Sequence, residues 1–318
     1  MNSRQLILAG GSGFLGQTLA KYFQARGWEA VVLARSPRAG RAAREVAWDA
    51  ATLGDWAREL DGAGVVINLT GRTVDCRYTE KNRREIMDSR VNSTRVLGEA
   101  IARCTRPPRV WMNAGTATIY RHNFGEPWDE GGTDFSATLD AKDAFSVSVG
   151  LAWERAFNEA VMPHTRKLVL RTTMVLGHAR NSVFPVLRRL TRFGLGGKMG
   201  SGKQFVSWIH HVDFCRAIEW LIEHEEVSGV VNLAAPNPLP NAEMMRLFRE
   251  LCGAPLGLGL PATEWMLELG ALFLRTETEL ILKSRRVVSR VLREGGFDFR
   301  FPKMRDAIQA LAADHVPL

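Results

Sequence analysis

The stretch RQLILAGGSGFLGQTLAKYF, Arg4–Phe23, decides how the rest of the chain is read. Its first half is apolar and branched enough for a buried strand, and from Phe14 the apolar residues recur at helical spacing. Between the two lies GGSGFLG, and in a strand-to-helix turn each of its glycines has a physical task. Gly10 permits the tight turn, Gly13 lets the backbone approach a pyrophosphate, and Gly16 lets the helix pack closely on the strand. The amides that open the helix at Phe14 and Leu15 then meet the anion.

The next strand, EAVVLA, ends in LARSPR, and its end separates the two nicotinamide cofactors. A site for NAD carries a carboxylate there for the ribose 2′-hydroxyl; a 2′-phosphate requires a cation and is repelled by that carboxylate. Arg35 offers a planar, charge-assisted contact and Ser36 a hydroxyl, so NADP is the expected cofactor. A second glycine-rich segment, GKMGSGKQ at 197–204, nearly matches a triphosphate loop. It ends on Gln204, which lacks the magnesium-binding hydroxyl, and reads as a substrate-side loop.

Farther along, VAWD, VVINLTG, RVWMNAGT and KLVLRTTMVLG are strand-like runs separated by helical segments near 53–60, 80–104 and 148–160. Strands alternating with helices imply right-handed parallel crossovers, hence an α/β, doubly wound parallel sheet of the Rossmann kind. The rhythm changes after Gly177. The expected division is an NADP-binding domain over 1–177, whose sheet later segments can rejoin, and a substrate or lid region over 178–318 ending in a small, mainly helical domain.

Composition narrows the functional classes. The 318 residues, 46% hydrophobic and 24% charged, suffice for a large core, and no apolar run reaches the ~18 residues of a membrane span. The opening apolar run leads into a glycine turn, not a small-residue cleavage site, so it reads as a first strand and the cytoplasm is the expected location. Forty-two basic residues against 34 acidic ones give a net charge of +8, yet no basic run is interleaved with aromatics as a nucleic-acid platform requires. Cys76, Cys104, Cys215 and Cys252 lack paired metal spacing and read as reduced, buried thiols. The adjacent His210 and His211 point to opposite faces of a strand, which disfavours a shared metal; a loop-fixing hydrogen bond is expected. The expected partner is a small molecule, with neither nucleic acid nor membrane.

On GGSGFLG, VINLTG, RYTEKNRREIMDSR, GLGGKMGSGKQFVSWIH, VVNLAAP, NAEMMRLF and EGGFDFRFP, the chain resembles the atypical extended short-chain dehydrogenase/reductases of the epimerase family. These are nucleoside-diphosphate-sugar epimerase-like proteins that end in a helical domain of unknown function. The glycine spacing agrees, because the segment fits G-x-x-G-x-x-G through Gly10, Gly13 and Gly16 as well as G-x-G-x-x-G through Gly11, Gly13 and Gly16. The resemblance implies NADP binding without naming a substrate. It puts Ala34 and Arg35 at the 2′-phosphate, Leu69, Thr70 and Gly71 beside the dinucleotide, Glu85 and Arg90 on the following helix, and Val175 near the nicotinamide. Arg90 stands where sugar-nucleotide epimerases usually carry asparagine.

The catalytic signature of that superfamily is missing. Hydride transfer to a carbonyl leaves an oxygen that needs a proton, and a tyrosine with a lysine four residues on supplies it. Tyr22, Tyr78 and Tyr120 are followed at that distance by Arg26, Asn82 and Phe124; in AFSVSVGLAWE, where the pair belongs, the positions hold Phe145 or Ser146 and Val149 or Gly150. Thr116 matches the superfamily's strand-end hydroxyl, and Tyr120 is either a surrogate acid or a packing aromatic. Arg77, Tyr78 and Lys81 can line a pocket for an anionic substrate or start a solvated helix. The leading expectation is an NADP-dependent oxidoreductase with an unusual proton donor, a water held by Thr116 and Arg90. The competing one is a non-catalytic NADP(H) sensor or partner-binding module, with sugar-nucleotide epimerisation third.

Overall fold

A computed structural model describes residues 3–179, 182–268 and 277–313. Seven parallel strands form the central sheet: β1 (Gln5–Ala9), β2 (Glu29–Ala34), β3 (Arg44–Ala47), β4 (Val65–Asn68), β5 (Val110–Thr116), β6 (Arg166–Thr172) and, much later in the chain, β10 (Gly229–Leu233). Their spatial order is β10-β6-β5-β4-β1-β2-β3, so the order in which strands are added reverses between β1 and β4, where a crevice opens at their carboxyl ends. The seventh strand lies well beyond residue 177, so the second half of the chain does rejoin the sheet.

Helices on both faces explain why the central strands carry apolar residues on both sides, as β1 does. In β1, Leu6 and Leu8 face the core shared with α1 (Phe14–Gln24) and α5 (His211–Glu223). Ile7 and Ala9 face the opposite core, shared with α2 (Glu80–Ala102) and α3 (Ala144–Asn158). Each fully buried aliphatic side chain contributes about 1.5–3 kcal/mol, so a polar residue on either face of β1 would be costly.

A further core lies outside the sheet. Phe184 and Leu187 of α4 (Val183–Arg192), Met245 and Phe248 of α6 (Asn241–Cys252), and Met304 and Ile308 of α7 (Met304–Ala312) pack together there. The strand pairs β7 (Met174–Leu176) with β9 (Trp208–His210), and β8 (Phe205–Val206) with β11 (Leu239–Pro240), connect it to the sheet. The helical reading of TEWMLELGALFL reaches residues 269–274, which lie outside the described residues.

The loop at 197–204 is knitted into this region: Gly197 donates to the Leu260 carbonyl and buried Gln204 to that of Met199. It does not line the large cavity, contrary to its reading as a substrate-side loop. His210 has the expected structural role, its Nδ1 accepting the Val212 amide at the start of α5. Asp213, fully buried, accepts the amides of Arg300 and Phe301 and so clamps the C-terminal segment. All four cysteines are free, with Cys215 and Cys252 buried but Cys76 and Cys104 only half-buried. Among the described residues no helix is long and apolar enough to cross a membrane.

Candidate functional site

A cavity of about 1180 Å³ runs along the crevice at the carboxyl edge of the sheet. One end is a backbone cradle. Gly10 has φ +70°, and a Cβ on it would lie 2.6 Å from the Thr70 hydroxyl. A Cβ on Gly16 would lie 2.2 Å from the Cα of Gly11, so close packing here joins the helix to the turn. At Gly13 a Cβ would meet nothing within 4 Å, the open space a ligand requires. No side chain caps α1, and its first turn has no acidic residue, so its leading amides face the cavity unneutralised. Phe14 and Leu15 line this end, and the Phe14 ring packs against Gly177 tightly enough to exclude a side chain there.

Ala34 and Arg35 line the same end, as do Trp48, Asp49, Ala50 and Ala51 after β3. Asp49 accepts the amides of Ala51 and Thr52 and the Thr52 hydroxyl, which hold its carboxyl below the usual range. The residues after β3 escaped the sequence reading, although parallel topology brings every strand's carboxyl end to one edge.

The middle of the cavity is fixed by a buried amide network. Asn68 donates to Asn113 and Thr94, and its own carbonyl oxygen accepts the amide of Thr70. Leu69, Thr70 and Gly71 are thereby held on the wall. Arg90 lies beneath Gly71, its Nη1 donating to the carbonyls of Arg72 and Ile86 and its guanidinium 5.1 Å from the Trp153 ring centroid. Burial pushes it down to about 10, so it stays cationic at neutral pH. Glu85 also lines the cavity, in an ion pair with Arg72.

At the far end the wall comprises Thr116, Thr118, Tyr78, Phe145, Ser146 and Val149. The positions four apart that reach it from α3 are Phe145 and Val149, an apolar stripe continued by Trp153. Ser146 stands at its edge, while Gly150 packs against the Thr116 methyl. The Tyr78 hydroxyl is buried without a well-formed hydrogen bond, and burial pushes its pKa up.

Several expected residues lie elsewhere. Tyr120 is a core residue: its hydroxyl accepts from Arg171, which is clamped by Glu154, and donates to Asn232. It is 1% exposed, off the cavity wall, and packed against the rings of Trp128 and Phe135. Val175 pairs with Ile209 and packs into the sheet core, away from the wall. Gly11 lies under the turn, and Ser36 is exposed beside Arg35 without lining the cavity. Arg77 and Lys81 are off the wall, the former paired with Glu277 and the latter 4.0 Å from Glu85. Among the described residues no cluster of His, Cys, Asp and Glu is suited to a metal ion.

The sequence matches the family model described as the NAD dependent epimerase/dehydratase family over residues 6–234, and a domain of unknown function, DUF1731, over 262–311. It is 30% identical to human epimerase family protein SDR39U1, covering 97% of this chain and 100% of that protein. It is 29% identical to the epimerase family protein YfhF of Bacillus subtilis, covering 97% and 98%. The crystal structure of human SDR39U1 (isoform 2) with NADPH superposes with a TM-score of 0.83 at 26% identity, covering 98% of this chain and 100% of that one.

Proposed function

The chain belongs to the NAD dependent epimerase/dehydratase family, and from that premise we propose that it is an NADP(H)-dependent oxidoreductase acting on a small carbonyl or alcohol compound. The observation that carries this reading is the continuity of one cavity from the uncapped start of α1 and Arg35 to the hydroxyls of Thr116, Thr118 and Ser146. The residues fit the cofactor. The α1 amides receive the pyrophosphate, Arg35 the 2′-phosphate, and Ala34 stands where a carboxylate would repel it. The NADPH bound by the human relative supports the same choice. When bound, the cofactor exchanges a hydride with the substrate carbon. The chain's share is to orient the substrate oxygen with Thr116, to hold the Arg90 cation beside the cavity, and to keep water from the apolar wall of Phe145, Val149 and Trp153.

That apolar wall, in the place of the Tyr-Lys pair, also favours a second reading, a non-catalytic NADP(H) sensor. Sugar-nucleotide epimerisation is less well supported, because it needs a reversible proton shuttle on α3. Calorimetry on the ligand-stripped chain, followed by single-turnover absorbance of bound NADPH against a panel of aldehydes and ketones, tests both. Tight NADPH binding with decay in the presence of one compound supports the enzyme; tight binding without decay supports the sensor. Failure to bind NADPH removes both.

A further inference from the structure

The far end of the cavity has hydroxyls in its wall but no carboxyl group, and what stands behind those hydroxyls is unexpected. Both Thr118 and Ser146 are backed by the segment around 277–288, which belongs to the C-terminal domain match. Arg285 Nε donates to Thr118 Oγ1 at 3.0 Å, and Ser146 Oγ lies 2.7 Å from Glu279 Oε2. A guanidinium only donates, so the Thr118 oxygen is the acceptor and its own O–H remains available. Lys283, fully buried, ties the segment down by donating to the Thr118 carbonyl and pairing with Asp143 at the start of α3.

Glu279 is 4% exposed, and its Oε1 has no hydrogen-bond partner. A buried carboxylate with one bare oxygen is costly, whereas a carboxylic acid can donate its proton from Oε2 to Ser146 and leave Oε1 an uncharged carbonyl. The charged and titratable groups facing it are Lys283 and Arg285 from its own segment, Asp143 ahead of α3, and Tyr78 from the loop before α2. A hydrogen bond donated by Ser146 and the two cations favour the carboxylate; Asp143 opposes it and already pairs with Lys283. Burial is the largest influence and pushes the Glu279 carboxyl above its ordinary range.

We propose that Glu279 is the proton reservoir for this cavity and that Ser146 is the catalytic residue passing the proton to the substrate oxygen. The proposal rests on the oxidoreductase reading. As the substrate carbon receives a hydride, the π pair of its C=O bond moves to the oxygen, which takes the proton of Ser146, whose Oγ takes the proton of Glu279 Oε2. Glu279 becomes a carboxylate beside Lys283 and Arg285 and is reprotonated from solvent. Oxidation of an alcohol runs the same path backwards. The acid missing from α3 is thus supplied from 133 residues downstream of Ser146.

Infrared difference spectroscopy on the full chain in H₂O and D₂O, with and without NADPH, tests the proton directly. A protonated-carboxyl band is expected at neutral pH, lost in Glu279→Gln and displaced in Ser146→Ala, which keeps the carboxyl but removes its hydrogen-bond partner. Absence of the band in the unsubstituted protein, or its survival in a folded Glu279→Gln protein, overturns the proposal. Should Glu279→Gln fail to fold, Ser146→Ala decides: an undisplaced band overturns the relay. The band is read with or without cofactor, and NADPH binding is measured separately by calorimetry. A protein that shows the band but takes up no NADPH contradicts the oxidoreductase reading alone, while one that binds NADPH without the band contradicts the relay alone.

Discussion

The two ends of the cavity are built by different means. At the candidate phosphate end the backbone forms the surface: Gly10 and Gly16 are required because side chains would collide with Thr70 or with Gly11, and Gly13 stands before open space at the start of α1. At the other end side chains form the surface, drawn from residues as distant in sequence as Tyr78, Thr118 and Ser146, with Glu279 behind Ser146. A backbone requirement falls on positions at a fixed spacing within one turn and tolerates one residue type. A side-chain requirement can be met from any segment the fold brings near, so its members move without leaving a spacing behind.

The largest test of that difference is Gly16→Val. The added Cβ would meet backbone, which cannot rotate away, so a loss of about 3 kcal/mol or more is expected together with loss of NADPH uptake. Thermal unfolding and calorimetry measure the two effects. A stable variant with normal binding would show that the turn is less constrained than its geometry implies.

Arg35→Asp sharpens the same end chemically. Replacing a charge-assisted contact to the 2′-phosphate by repulsion is expected to weaken NADPH at least ~100-fold and NADH only a few-fold. Equal losses for the two cofactors would remove Arg35 from the phosphate site.

These contrasts explain what could be read from the sequence. Apolar runs identify the sheet because a parallel strand covered on both faces must be apolar along its covered length, as Leu6–Ala9 of β1 is. Arg35 was legible because it follows a strand whose carboxyl end enters the crevice; Ala34, Thr70 and Gly71, which the family resemblance implied, line the same crevice. The same logic reaches Trp48 and Asp49 after β3, where the strand was recognised without that consequence being drawn. Nothing local distinguishes Glu279. It lies in a four-residue helical turn, Glu279–Leu282, and matters only because the C-terminal domain folds back against Ser146.

Titration separates the regions with opposite signs. Burial pushes His210 down to about 2 and His211 down to about 4, so both are neutral when folded. Their unfolded value is near ~6.5, so this stability is complete above that pH and declines as pH falls from it toward the folded values, by on the order of 2–3 kcal/mol for His211. Glu279 works the other way: its raised value favours folding at low pH, and that contribution is lost as pH rises through it. Thermal midpoints between pH 7 and 4 should fall less steeply in His211→Asn than in the unsubstituted chain. Parallel curves would show that His211 is not held neutral by the fold.

The smallest expected effect concerns Tyr120, the residue whose sequence position most invites a catalytic reading. Its hydroxyl already accepts from Arg171 and donates to Asn232, and a group saturated on both sides has no hydrogen to offer a substrate. Tyr120→Phe removes one oxygen from this buried set but leaves the Glu154–Arg171 pair intact, with both Nε and Nη2 of the arginine still bound. A cost of about 1–2 kcal/mol is therefore expected, with NADPH affinity unchanged within ~2-fold. Calorimetry and thermal unfolding measure both. A large loss of NADPH oxidation at unchanged stability would instead return Tyr120 to the chemistry, and would mean that the Arg171 network opens toward the cavity during turnover.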